Sequence, residues 1–241
     1  MNLPGAIALV AGATGGLGRA IALELQTAGA EVRVLVRDAR TLDPQLAGCR
    51  AADCDITDVR AMRSALRSLV ADGEKLAVVV NATGVVAFGS LEETNDETIE
   101  WLTMVNYTAA VQLIRESIPL MASPSAIVTI SGVVAELPVA NMAVYSASKA
   151  ALYAATVAIG REVRRRGISL IDARPPHTET GLASHPIAGS APKLPQGLAP
   201  ESVARRIVAA ITTDERDLSS LAFGATDEIK PGGNARHAPP R

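Results

Sequence analysis

Short apolar runs rich in β-branched residues recur along the chain: AIALVA (6–11), EVRVLV (31–36), LAVVVN (76–81), AIVTIS (126–131) and ISLIDA (168–173), with weaker ones at CRAADC (49–54) and LSSLAF (218–223). Between them, residues 17–28, 58–70, 97–121, 145–166 and 200–212 carry apolar side chains at helical spacing. Strands covered on both faces read as continuous apolar runs, so this alternation predicts a parallel sheet with helices on either side. Right-handed crossovers then give a single-domain, Rossmann-like, doubly wound α/β sheet of about seven strands. The domain is expected over 1–226. Its Pro/Gly-rich stretch 175–199 is too long for a simple turn and is expected to form a flap over a site. The polar, Pro- and Gly-rich tail 227–241 is expected to be poorly ordered.

Composition narrows the class. The 241 residues suffice for one large domain, and with 48% hydrophobic residues, 20% charged residues and a net charge of -2 nothing points to nucleic acid. The basic run REVRRRG (161–167) ends a helix, where arginines complement the helix dipole. No apolar run is long enough to span a bilayer, and the N-terminus does not read as a signal peptide. Cys49 and Cys54, with no nearby histidine pair, suggest neither a zinc site nor a disulfide scaffold, so a cytoplasmic location is the default and no metal is expected. With only 2% aromatic residues, the core must be built from small aliphatic side chains.

The first strand runs into AGATGGLGRAIALEL, which places Gly12, Gly15, Gly16 and Gly18 at a strand-to-helix turn, with Thr14 and Leu17 among them. Glycine there permits a sharp turn and lets a pyrophosphate approach the helix N-terminus without Cβ atoms in the way. The ribose-reading position follows the second strand, in VLVRDAR. Arg37 favours NADP(H), because guanidinium pairs with a 2′-phosphate; Asp38 either pairs with Arg37 or reaches a hydroxyl, which keeps NAD(H) open.

Residues 127–149, IVTISGVVAELPVANMAVYSASK, hold the candidate chemistry. Tyr145 and Lys149 lie four residues apart on one helical face, and a free phenol with pKa about 10 is a poor base without a nearby cation. Such a phenol works beside a second donor, and Ser131 and Gly132 end the strand just upstream. Tyr107 and Tyr153 read as packing residues, and His177 and His185 sit in the flap.

Taken together, these motifs resemble the short-chain dehydrogenase/reductase family over about residues 5–223. GATGGLG (12–18) looks like the family's glycine loop of the ordinary short branch. CDITD (54–58) is similar to the segment in which Asp55, followed by Ile56, would hold the adenine amino group. NATG (81–84) resembles the motif in which Asn81 braces the sheet and Ala82 and Gly84 let the cofactor lie close. In MVNYT (104–108), Asn106 would bend its helix and anchor a water; YSASK (145–149) is the most specific match. RPPHTET (174–180) resembles a segment whose Pro175, Thr178 and Thr180 would border the nicotinamide.

The resemblance implies hydride transfer between nicotinamide and a carbonyl or secondary alcohol, with Tyr145 as general acid/base, Lys149 favouring the phenolate and binding the ribose, and Asn106 completing a proton path. It also implies a homotetramer or dimer and a small-molecule substrate. Its catalytic serine normally lies thirteen residues before the tyrosine, where this chain has Gly132. Ser131 has the opposite strand parity and is expected to point away from substrate unless a bulge swings it inward; substrate, water, His177 or Thr178 could replace it. Ser131 is therefore a doubtful member of the site, and a nucleotide-binding regulator or scaffold with weak or no turnover is the competing function.

Overall fold

The structure, a computed structural model, describes residues 1–224; the tail expected at 227–241 lies outside them. Seven strands form one parallel sheet: β1 (Ile7–Ala11), β2 (Glu31–Val36), β3 (Arg50–Asp53), β4 (Leu76–Asn81), β5 (Met121–Ile130), β6 (Ile168–Ala173) and β7 (Asp217–Leu218), in the order β3-β2-β1-β4-β5-β6-β7. The order reverses between β1 and β4, so a crevice opens beyond their carboxyl ends. The helices are α1 (Gly16–Thr27), α2 (Val59–Leu69), α3 (Asp96–Thr103), α4 (Ala109–Ser117), α5 (Ala143–Val163) and α6 (Pro200–Thr213).

Side-chain alternation sorts the strands' apolar residues into two cores. Val10, Val34, Val80, Val128 and Ile171 pack with Ile21 of α1 and Ile207 of α6. Leu9, Leu35, Val79 and Ile127 pack on the other face with Leu66 of α2 and Leu113 of α4. Both faces are covered, which is why the strands read as unbroken apolar runs. Three buried charged residues in or just after the strands, one alone and two paired, interrupt this rule. Arg33 in β2 is fully buried, and its guanidinium is held by Glu31, Glu74 and the Leu69 carbonyl. The pair, Asp172 and Arg174, lies beside the site.

Three sequence expectations need correction. The helix expected over 97–121 is interrupted at Met104–Thr108 by a π-turn, in which the Ala109 N–H reaches the Met104 carbonyl, and ends at Ser117 before a 3₁₀ turn at Ile118–Leu120. The strand expected over 218–223 pairs only through Asp217 and Leu218. Glu136 then captures Ser220, accepting from its N–H and hydroxyl, and Ser220–Phe223 coils into a 3₁₀ turn. The strand expected over 126–131 begins at Met121 and stops at Ile130, which leaves Ser131 just past its end. Among the described residues, no helix is long and apolar enough to cross a membrane.

Candidate active site

A cleft of about 1130 Å³ lies beyond the carboxyl ends of the central strands. One end is made by the turn from β1 into α1. No side chain caps α1 and no acidic residue occupies its first turn, so its N-terminal N–H groups face the cleft without a competing carboxylate. A Cβ on Gly18 would overlap the Gly12 carbonyl, and one on Gly16 would lie 2.6 Å from the Thr180 carbonyl oxygen. These glycines are fixed by close packing of the turn, and Thr180 closes over it. Gly84 faces Asn106 Oδ1 and Lys149 Nζ, each 3.3 Å from where a Cβ would stand. The result is a cradle with backbone at its surface, suited to a dinucleotide. Thr14, Gly15 and Leu17 also line it, as do Ile56, Ala82, Pro175 and Thr178. Asn81 lies under this wall, buried, its Oδ1 accepting from the Thr83 hydroxyl at 2.6 Å.

At the far end, the acidic residues are already engaged. Asp38 pairs with Arg40 rather than Arg37: the Arg40 side chain and main-chain N–H both donate to it, and the Arg40 side-chain bond holds its carboxyl below the usual range. Asp53 accepts from the Ala39 N–H at 2.7 Å. Asp55 accepts from Thr57 through Oδ1 and lines the cleft. Arg37, exposed on the cleft wall, makes no hydrogen bond or ion pair within the described residues.

Helix α5 brings Tyr145 and Lys149 to the middle of the cleft, with Lys149 Nζ 6.0 Å from the Tyr145 ring centre. Burial pushes the Tyr145 phenol up to about 12. Burial also holds Lys149 down to about 8, with the charge of Asp172 working in the other direction. Lys149 donates to the Ile130 carbonyl at 2.9 Å. Asn106, buried in the π-turn, accepts from the Val85 N–H and donates to the Val85 carbonyl and to Ser148 Oγ. It therefore ties the segment after β4 to α5 and holds Gly84 against Lys149.

Ser131 leaves the candidate set. It borders the cleft but is fully buried, and its hydroxyl donates to Asp172 Oδ2 at 2.7 Å, a residue that does not line the cleft. The Ser131 and Gly132 N–H groups both donate to the Ala173 carbonyl, and this local irregularity leaves the Ser131 hydroxyl on Asp172. Gly132 follows with φ 80° and ψ 164°, a backbone region that essentially only glycine occupies. A Cβ there has room, its nearest neighbour being the Pro175 oxygen at 3.9 Å. The obstacle to serine is backbone conformation rather than space. Gly132→Ser is accordingly expected to cost about 1–3 kcal/mol in stability and to leave turnover no higher than in the parent. Chemical denaturation and steady-state assays check both, and a stable, faster variant would refute the strain.

Neither proposed substitute is free. Thr178 donates its hydroxyl to the Pro176 carbonyl, and His177 Nε2 lies 3.5 Å from Glu179. The stretch 175–199 is fastened over the cleft: Ile187 donates to the Val86 carbonyl, Phe88 to the Ala188 carbonyl, and Thr178 bridges to Leu198. The cleft's lining includes apolar Val86, Phe88, Trp101, Val105, Val134 and Leu194, with Glu93 and Asn141 among its polar members.

Sequence reasoning missed the buried group around Asp172. This carboxylate also accepts from Thr129, at 2.9 Å, and from Arg174, at 2.9 Å. Arg174 in turn pairs with Glu136 and Asp217 and stacks on Tyr153, 4.4 Å from its ring centre. The signal was present in ISLIDARPP, where an acid and a base end a strand buried on both faces.

Known proteins share this chain's fold and sequence pattern. The family model for short chain dehydrogenases matches residues 6–188. A 3-oxoacyl-acyl-carrier-protein reductase of Salmonella typhimurium is 29% identical over 96% of this chain and 98% of its own. The Escherichia coli K12 reductase of the same name is 30% identical over 76% of this chain and 77% of its own. Among solved structures, a short-chain dehydrogenase from Streptomyces avermitilis superposes with TM-score 0.79 at 26% identity, covering 91% of this chain and 90% of that one. One from Burkholderia cenocepacia, in complex with NADP, has TM-score 0.81 at 23% identity, over 92% and 91% of the two chains, and shares the fold. With the doubly wound sheet, the glycine turn and the Tyr145–Lys149 pair in place, the chain belongs to the short-chain dehydrogenase/reductase family.

Proposed function

We propose that the protein is an NADP(H)-preferring oxidoreductase that interconverts a carbonyl and a secondary alcohol on a neutral, largely apolar substrate. The observation that carries this reading is the juxtaposition of Tyr145 and Lys149 with a glycine cradle in a cleft whose lining is rich in apolar side chains. The cradle fits a dinucleotide: the α1 N-terminus and its glycines would hold the pyrophosphate, Asp55 and Ile56 the adenine, and Lys149 the nicotinamide ribose. Thr178, Thr180 and Pro175 would border the nicotinamide. When bound, that group supplies or takes the hydride.

The chain's own residues then manage the proton. A phenol kept near 12 stays protonated at neutral pH, the form needed to give a proton to a developing alkoxide during reduction. In the opposite direction the phenol must act as base, and the adjacent ammonium of Lys149 favours its anion. Asn106 holds the wall against which Lys149 is placed. With the Ser131 hydroxyl bonded to Asp172, Tyr145 carries more of the burden of polarising the substrate oxygen; loss of one such donor elsewhere costs about 100- to 1000-fold. Turnover is therefore expected to be modest. The homotetramer or dimer remains part of this reading, supported by apolar Met104 and Val157 left exposed on the π-turn and α5.

Nucleotide choice rests on Arg37. Because Asp38 and Asp53 are engaged with their own neighbours, Arg37 is the charged group available to a 2′-phosphate. Arg37→Ala is expected to weaken NADPH about ten- to hundredfold, the loss of a charge-assisted hydrogen bond or two, and to leave NADH nearly unchanged. Oxidation of each nucleotide with a panel of ketones and quinones tests the whole reading. Tight nucleotide binding without oxidation by any of them would favour the nucleotide-binding regulator instead.

A further inference from the structure

A layer of polar side chains is buried between α5 and the carboxyl ends of β5 and β6. Strand register sets it up. Thr129 pairs with Asp172 across the two strands, so both side chains project to the same face, and Arg174 follows two residues later. Ser131 Oγ, Thr129 Oγ1 and Arg174 Nη1 all donate to the Asp172 carboxylate. The α5 side of the layer is Lys149, Tyr153 and Thr156: Thr156 bonds Thr129 at 3.0 Å, Tyr153 lies beneath Arg174, and Lys149 bonds the carbonyl of Ile130, the residue before Ser131. The end of β5 is thus gripped from both sides, by Lys149 at residue 130 and by Asp172 at residue 131.

We propose that Asp172 is a positioning residue for the reaction, its carboxylate acting through Lys149 to keep the ammonium charged and seated on the Ile130 carbonyl, with Ser131 and Arg174 holding Asp172 in place. In this chain the serine hydroxyl serves the lysine through Asp172 instead of the substrate oxygen. The proposal rests on the reading of Tyr145 and Lys149 as the proton-handling pair.

Charge and burial support it. Lys149 is 5% exposed, and a buried ammonium with no anion nearby loses its proton readily. The groups packed about Lys149 are Tyr145 on α5, neutral Asn106 on the π-turn, the Gly84 segment after β4, the Ile130 carbonyl on β5 and Asp172 on β6, with Arg174, just past the end of β6, bonded to Asp172. Arg174 opposes the effect of Asp172, but its own charge is met by Glu136 and Asp217 as well. Asp217 is largely exposed and Glu136 partly so, which leaves Asp172 as the carboxylate sealed inside the layer. Asp172 is itself pushed up by burial, and the bonds from Ser131, Thr129 and Arg174 work against that rise.

Two measurements on the full chain test the proposal. The first follows modification of Lys149 by acetic anhydride against pH, read by peptide mass spectrometry; it needs no turnover, so it stands even if the oxidoreductase reading fails. The second is the pH profile of ketone reduction. In Asp172→Asn, which keeps the shape and an acceptor oxygen, the pH at which Lys149 becomes half reactive is expected to fall by about one pH unit or more. The alkaline limb of the reduction profile should move the same way, because turnover is lost as pH rises through the lysine's folded value. Ser131→Ala removes one donor to Asp172 and should shift both in the same direction by less, which keeps the idea testable if Asp172→Asn fails to fold. A merely structural network would lower stability and leave both pH midpoints where they were; that result, in either folded variant, overturns the proposal. A moved lysine titration with no measurable turnover in the parent would uphold the Asp172–Lys149 link and refute the enzymatic reading.

Discussion

Tyr145→Phe is expected to lower turnover by about 100- to 10,000-fold, the usual contribution of a positioned general acid or base, with nucleotide binding nearly unchanged. The phenyl ring keeps the packing of α5 and removes only the hydroxyl. The loss should sit at the upper end of this range. In a site with a serine hydroxyl facing the substrate, some polarisation of the carbonyl survives without the tyrosine. Here the Ser131 hydroxyl is bonded to Asp172 and Thr178 donates to Pro176, so neither is free to compensate. Steady-state oxidation of NADPH with the best ketone, paired with calorimetric titration of the nucleotide, measures both quantities. A Phe variant within tenfold of the parent would remove Tyr145 from the chemistry.

The largest stability effect is expected at Arg174. Its side chain is 3% exposed and meets Glu136, Asp172 and Asp217 while covering the Tyr153 ring. Burial works against its charge, yet the three carboxylates raise its pKa above the ordinary arginine value. Arg174→Ala would leave the buried Asp172 without its directly bonded counter-charge. Breaking a buried pair this way costs about 3–5 kcal/mol, because the remaining charge is uncompensated. Urea denaturation of the purified variant should show this as a lower midpoint. The double variant Arg174→Ala, Asp172→Asn should recover part of the loss, since it removes the stranded charge as well. A loss under about 1 kcal/mol in the single variant would mean that water reaches Asp172 and the layer is not sealed.

Much of this site was legible because its chemistry is local in sequence. The glycine turn, the Tyr145–Lys149 spacing and the parity of Ser131 are each fixed by one element's own period, 3.6 residues in a helix or 2 in a strand. The π-turn was foreshadowed only by the family likeness around Asn106, whose side chain bonds Val85, 21 residues away. What could not be read depends on pairing between distant strands. Asp38 stood beside Arg37 in sequence, but the backbone turn after β2 handed it to Arg40. Asp172 and Arg174 looked like the end of an apolar strand, and only the register of β5 on β6 shows that Thr129 and Ser131 meet them. The shortness of β7 has the same origin: Glu136, far away in sequence, holds Ser220 and turns the chain off the sheet.

The order Ser131–Gly132 also constrains how this protein can change. Converting it to the reverse order takes two substitutions, and each single step is penalised for its own reason. Serine at 132 meets a backbone at φ 80° that suits glycine alone. Glycine at 131 strips a donor from Asp172 while giving the substrate nothing in return. The two arrangements are therefore separate peaks with a valley between them, and improvement by single steps leads elsewhere, to the cleft wall or the 175–199 cover, before it leads to a serine in front of Tyr145.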